Sequence, residues 1–89
     1  MTLPYRLILS AEASEIRISA GNETPLSDPS GRLSVSSEHP LISLVVKWKS
    51  EPAAGEHRFA KLILEPVGKP TITHVFDAAG DIDDILELP

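Results

Sequence analysis

The positions of apolar residues between Leu41 and Phe76 alternate or run nearly unbroken, in three segments separated by Pro and Gly, which is the signature of a sheet rather than of a helical bundle. The clearest strand is Leu41 to Lys49. Ile42, Leu44, Val46 and Trp48 share one face, and Leu41, Ser43, Val45, Lys47 and Lys49 share the other. His57 to Glu65 is apolar on both faces, with Ala60, Leu62 and Leu64 against Phe59 and Ile63, so it is expected inside a sheet. Pro66-Val67-Gly68-Lys69-Pro70 then joins it to Thr71 to Phe76, and a short Gly-containing link between two strand-like runs predicts an antiparallel hairpin.

Upstream, Tyr5, Leu7, Leu9 and Ala11 alternate with Arg6, Ile8 and Ser10, and Ile16, Ile18 and Ala20 alternate with Glu15, Arg17 and Ser19. These are two further strands, expected side by side. Gly21 to Gly31, with Asn22, Pro25, Asp28, Pro29 and Ser30, is the longest loop. Leu33 and Val35 read as a strand with one wet face before Glu38, His39 and Pro40 break the pattern. At the other end Ile82, Ile85 and Leu86 fall at helical spacing behind Asp81, a residue able to cap a first turn. A short C-terminal helical turn from Asp81 to Leu88, stopped by Pro89, is therefore predicted, with a strand as the alternative because Ile82, Leu86 and Leu88 share a parity.

Six short strands without a long helix imply an all-β fold, a small antiparallel two-layer β-sandwich, immunoglobulin-like or a partly closed barrel, over a single domain spanning 1–89. Its core should centre on Ile42, Leu44, Val46, Trp48, Leu62 and Leu64. For a chain of this size the radius of gyration is expected near about 12 Å. Val46-Lys47-Trp48 followed by Pro52 is similar to the Trp-bearing strand of fibronectin type III domains, over too short a stretch to assign the family.

Composition narrows function mostly by exclusion. Zero Cys removes thiolate catalysis, zinc ribbons and iron–sulfur ligation. A formal charge of -5 repels nucleic-acid and anionic-lipid surfaces alike. The Leu7-Ile8-Leu9 run is too short for a secretory hydrophobic region, with Arg6 the single basic residue ahead of it, so a cytoplasmic location is the expectation.

The acidic cluster Asp77, Asp81, Asp83, Asp84 and Glu87 could offer oxygen ligands to calcium, but Ile85 and Leu86 stand where an EF-hand needs an acid or amide and a Gly. His39, His57 and His74 contain no closely spaced pair, and His74 shares the parity of Ile72 and Phe76, which makes it a hydrogen-bonded residue at the border of the apolar face. No metal, cofactor or catalytic residue is assigned. There is no Gly-x-Ser-x-Gly elbow, P-loop or His-Glu-x-x-His. Trp48 is placed in the core by its parity, which argues against a sugar-stacking platform, and Lys47 and Lys49 read as solvated edge residues. Asn22-Glu23-Thr24 matches a glycosylation sequon, weakened by Pro25.

The function expected is a noncatalytic module acting through protein contact or self-association at a strand edge, the alternative being a small-ligand or carbohydrate binder using loop ends and an exposed aromatic. Tyr5 to Ala11, guarded only by Arg6, is the edge expected to be covered, by the C-terminal segment, a second copy or a partner chain.

Overall fold

The computed structural model describes residues 2–21, 23–35 and 41–87. Asn22 of the sequon, the Glu38-His39-Pro40 break, and Leu88 and Pro89 lie outside them. Among the described residues seven strands follow one another, β1 (Thr2–Leu9), β2 (Ala13–Ala20), β3 (Ser30–Ser34), β4 (Leu41–Trp48), β5 (Arg58–Leu64), β6 (Ile72–Ala78) and β7 (Ile82–Glu87). They form two antiparallel sheets, of order β3-β1-β5-β6 and β2-β4-β7.

The layers meet along the faces that alternation marked as apolar. Ile42, Leu44, Val46, Leu62 and Leu64 are completely buried and Trp48 nearly so. Leu3, Tyr5 and Leu7 of β1, Ile18 of β2, Leu33 of β3 and Phe76 of β6 join them in the core. The shortest dimension is 18 Å, as two face-packed sheets require, and the longest is 41 Å. That elongation lifts the radius of gyration to 13.0 Å, slightly above the value for a rounder chain.

The hairpin between β5 and β6 is present in unbroken register from Arg58 opposite Ala78 to Leu64 opposite Ile72. Its turn is closed by the Lys69 N–H donating to the Pro66 carbonyl at 3.3 Å, and Gly68 at the third position has φ of 73°, a conformation that glycine adopts without steric cost. β5 is interior to its sheet, between β1 and β6.

Four expectations are corrected. The C-terminal segment is β7, not a helical turn, because β4 has an open side that only a strand can satisfy; Ile82 is buried against the core while Ile85 points outward. The Asp81 carboxylate receives the Trp48 N–H at 3.2 Å instead of capping a helix. β1 and β2 are not neighbours but lie in opposite sheets, joined across the sandwich by a short connection. An immunoglobulin domain keeps its first two strands in one sheet, so the strand order here differs from that order. Finally, Lys47 lies on the outer face of β4, the central strand of its sheet, where it meets Glu15 at 3.7 Å, while Lys49, just past the end of β4, meets Glu12 at 3.6 Å; neither is at a sheet edge.

Candidate functional site

The side chains with chemical potential are dispersed. Asp77 lies on β6 beside His57, 3.7 Å away; Asp81 holds the Trp48 N–H; Asp83 is opposite Val45, and Glu87 opposite Leu41. Asp84 accepts the Ile85 N–H at 2.8 Å. Among the described residues no three His, Asp or Glu side chains come together as metal ligands. His74 is exposed and stands edge-on to Phe76, ring centroids 4.6 Å apart, with no hydrogen bond recorded to it among the described residues, so the border position is observed without the expected bonding.

Trp48 and Tyr5 are both buried. The indole Nε1 donates to the Gly80 carbonyl at 2.8 Å, and the phenol donates to the Asp28 carbonyl at 2.7 Å. Burial, and secondarily the nearby Asp28 charge, raise the Tyr5 pKa above its ordinary 10.0. Tyr5 also fixes β3, for a Cβ on Gly31 would meet its ring at 3.3 Å.

One buried charge escaped the pattern analysis. Arg58 sits at the inward parity of Ala60, Leu62 and Leu64, its guanidinium 5.5 Å from the centroid of Trp48. It donates to the Ser50 and Glu51 carbonyls and, from Nε at 3.1 Å, to Glu56. Glu56 also accepts the Ala53 N–H at 2.8 Å, and that bond, with Arg58 after it, lowers the Glu56 pKa. Arg58 therefore clasps the 50–56 connection onto the sandwich, and no buried side-chain polar atom among the described residues is left without a partner. The cleft alongside, lined by Trp48, Ser50, Pro52 and Asp81, has both the indole and the main-chain N–H of Trp48 already engaged.

The sheet edges remain, and their main-chain directions can be derived. Phe59 donates to Ser10 Oγ at 2.9 Å and accepts the Ser10 N–H at 3.0 Å, while the Glu65 N–H reaches the Pro4 carbonyl at 3.0 Å. Odd-numbered positions of β5 thus face β1, and the alternation of an antiparallel ladder hands Arg58, Ala60, Leu62 and Leu64 to β6. Their partners Ala78, Phe76, His74 and Ile72 are spent on β5. Thr73, Val75 and Asp77 point their N–H and C=O groups off the sheet.

The same reasoning applies to β7. Leu41 accepts the Gly21 N–H on the β2 side, so Asp83, Ile85 and Glu87 face outward, and the Ile85 donor is already occupied by the Asp84 carboxylate. The edge of β2 is covered in the middle by Leu26, which exchanges both bonds with Ile18 at 2.8 and 2.9 Å, and the strand is irregular between Ala13 and Glu15. β3 is only five residues long and carries Arg32. β6 has neither bulge, Pro nor Lys.

β1, the edge expected from sequence, is interior: Thr2 to Arg6 pair with β3, and Tyr5 to Leu9 with β5. The strand is covered by its own chain. What identifies β6 instead is the direction of its free groups, a property of pairing that no local pattern displays. On the outer face of the same sheet Ile8, Lys61 and Val75 lie in one cross-strand row, with Ile8 47% and Val75 51% exposed. Comparisons of the chain with protein-family models, with curated proteins and with solved structures find no match.

Proposed function

We propose that this chain is a noncatalytic β-sandwich module that works by protein contact, accepting a strand from another polypeptide along the open edge of β6. The observation that carries the reading is the regular run Ile72–Ala78, whose Thr73, Val75 and Asp77 main-chain groups face outward with no bulge, and no side chain among the described residues, to block them. Added strands gain affinity from main-chain hydrogen bonds and specificity from alternate side chains. Burial of both Trp48 and Tyr5 supports contact over carbohydrate or small-ligand stacking, which needs an exposed aromatic face.

The test uses proline as an edge block. Val75→Pro removes an N–H that the fold itself does not use, and Ile85→Pro is the control on β7, where the N–H removed is bound only by the adjacent Asp84 carboxylate and not by the sheet. Proteins from the native source, including a tagged copy of the chain, should be retained by immobilised wild type and Ile85→Pro but lost on Val75→Pro. Equal retention by all three would refute the proposal.

A further inference from the structure

We infer that the occupant of the β6 edge is a second copy of this chain, paired antiparallel about a two-fold axis through Val75. The inference rests on the edge-contact reading above and adds the identity of the partner. The outward groups are symmetric about that residue: Thr73 and Asp77 stand two positions to either side. An axis there makes Val75 of each copy a bonded pair and sets Thr73 of one copy opposite Asp77 of the other, each pair exchanging both main-chain bonds. The whole of Ile72–Ala78 then overlaps, which an axis shifted to His74 or Phe76 would not achieve.

Side chains agree with this register. The Thr73 hydroxyl is a donor facing an Asp77 carboxylate, and opposed Val75 side chains form a β-branched cross-strand pair on a face where each is now half exposed. On the inner face His74 of one copy meets Phe76 of the other. No like charges stand directly opposite. The other edges fail the same operation: an axis through Ile85 of β7 opposes Asp83 to Glu87, and an axis through Arg32 of β3 opposes Arg32 to itself. The outer row Ile8, Lys61, Val75 becomes continuous across the axis, and its two Lys61 residues stay three strand spacings apart, about 14 Å, beyond the screening length at physiological salt.

Because the chain contains no Cys, Lys61→Cys supplies a single site for a nitroxide label on this outer face. Sedimentation from micromolar to millimolar chain should show a reversible dimer, with a label–label separation consistent with a Cα spacing of about 14 Å. Val75→Pro should remain folded and weaken the dimer by roughly tenfold to a hundredfold, since it deletes two bonds of the central pair. A net charge of -5 on each copy means that added salt should strengthen self-association, whereas a basic peptide on the same edge would be released by it. A dimer that survives Val75→Pro, or whose labels lie far beyond this separation, overturns the two-fold arrangement. A chain that stays monomeric throughout overturns self-pairing alone, and the capture experiment then decides whether the edge serves a different protein.

Discussion

β6 and β7 leave the sandwich on the same side, joined by Ala79-Gly80-Asp81, yet they treat their free edges in opposite ways. Both present three residues outward. On β7 two of the three are acids, and the third, Ile85, gives its N–H to the neighbouring Asp84 side chain, which occupies an inward parity shared with Ile82 and Leu86. A charge held over an edge amide hinders unwanted pairing, because a docking strand would have to displace and desolvate it. β6 places His74 at the equivalent parity but leaves the main-chain groups of Thr73, Val75 and Asp77 unoccupied by its own side chains. Two edges of similar length in one small domain thus differ in what they permit, and the difference is written in side-chain chemistry rather than in backbone geometry.

The largest expected effect lies beneath the guarded edge. Leu44→Ala on β4 removes a completely buried side chain and should cost about 2 to 5 kcal/mol, read from denaturant unfolding, a large part of what a domain of this size possesses. β6 offers a sharper contrast in two adjacent positions. His74→Pro breaks a ladder bond to β5 and should cost about 1 to 3 kcal/mol, whereas Val75→Pro deletes only an outward N–H and should leave monomer stability nearly unchanged. A larger loss in Val75→Pro than in His74→Pro would mean that the derived bond directions are reversed.

Asp81→Ala comes next, since it leaves the Trp48 N–H without its carboxylate; a loss of about 1 to 3 kcal/mol in thermal unfolding is expected. Smallest in stability but most telling for the comparison is Asp84→Ala. It frees the Ile85 N–H and removes the charge that covers it, so unfolding should move by under about 1 kcal/mol while concentration-dependent association through β7 rises. A variant as monomeric at β7 as wild type would show that Asp83 and Glu87 guard the edge without it.

A separate pH dependence comes from Tyr5. Its folded-state pKa is raised, so the neutral phenol favours the fold; its contribution is fully present below the ordinary value of 10.0 and is lost as pH rises through the higher folded value. Alkaline unfolding of wild type should therefore steepen above pH 10.0, and Tyr5→Phe should lack that component.

Sequence pattern carried the core and the hairpin because both are local properties. Ile42, Leu44, Val46 and Trp48 reveal their face by alternation alone, and Pro66 to Pro70 contains the glycine that its turn requires. The C-terminal strand was not legible in this way, since Ile82, Ile85 and Leu86 fit a helix as well as a strand until the open side of β4, some forty residues upstream, is taken into account. The partners of β1 were hidden for the same reason. Arg58 was a different omission: its parity with Ala60, Leu62 and Leu64 marked an inward cation, and Glu56 two residues earlier was the visible hint of its partner. The candidate edge lay outside the reach of the sequence altogether, because which amides of β6 are free depends on how β5 shares its bonds with β1.

Residue-resolved amide hydrogen exchange, followed from micromolar to millimolar chain, tests the contrast between the edges most directly. At the lowest concentration the amides of Thr73, Val75 and Asp77 should exchange freely while those of His74 and Phe76 are protected by β5. On concentration, protection should rise at Thr73, Val75 and Asp77 and not at Asp83 or Glu87. Protection that develops on β7 instead, or Val75 already protected in the dilute monomer, would contradict the account.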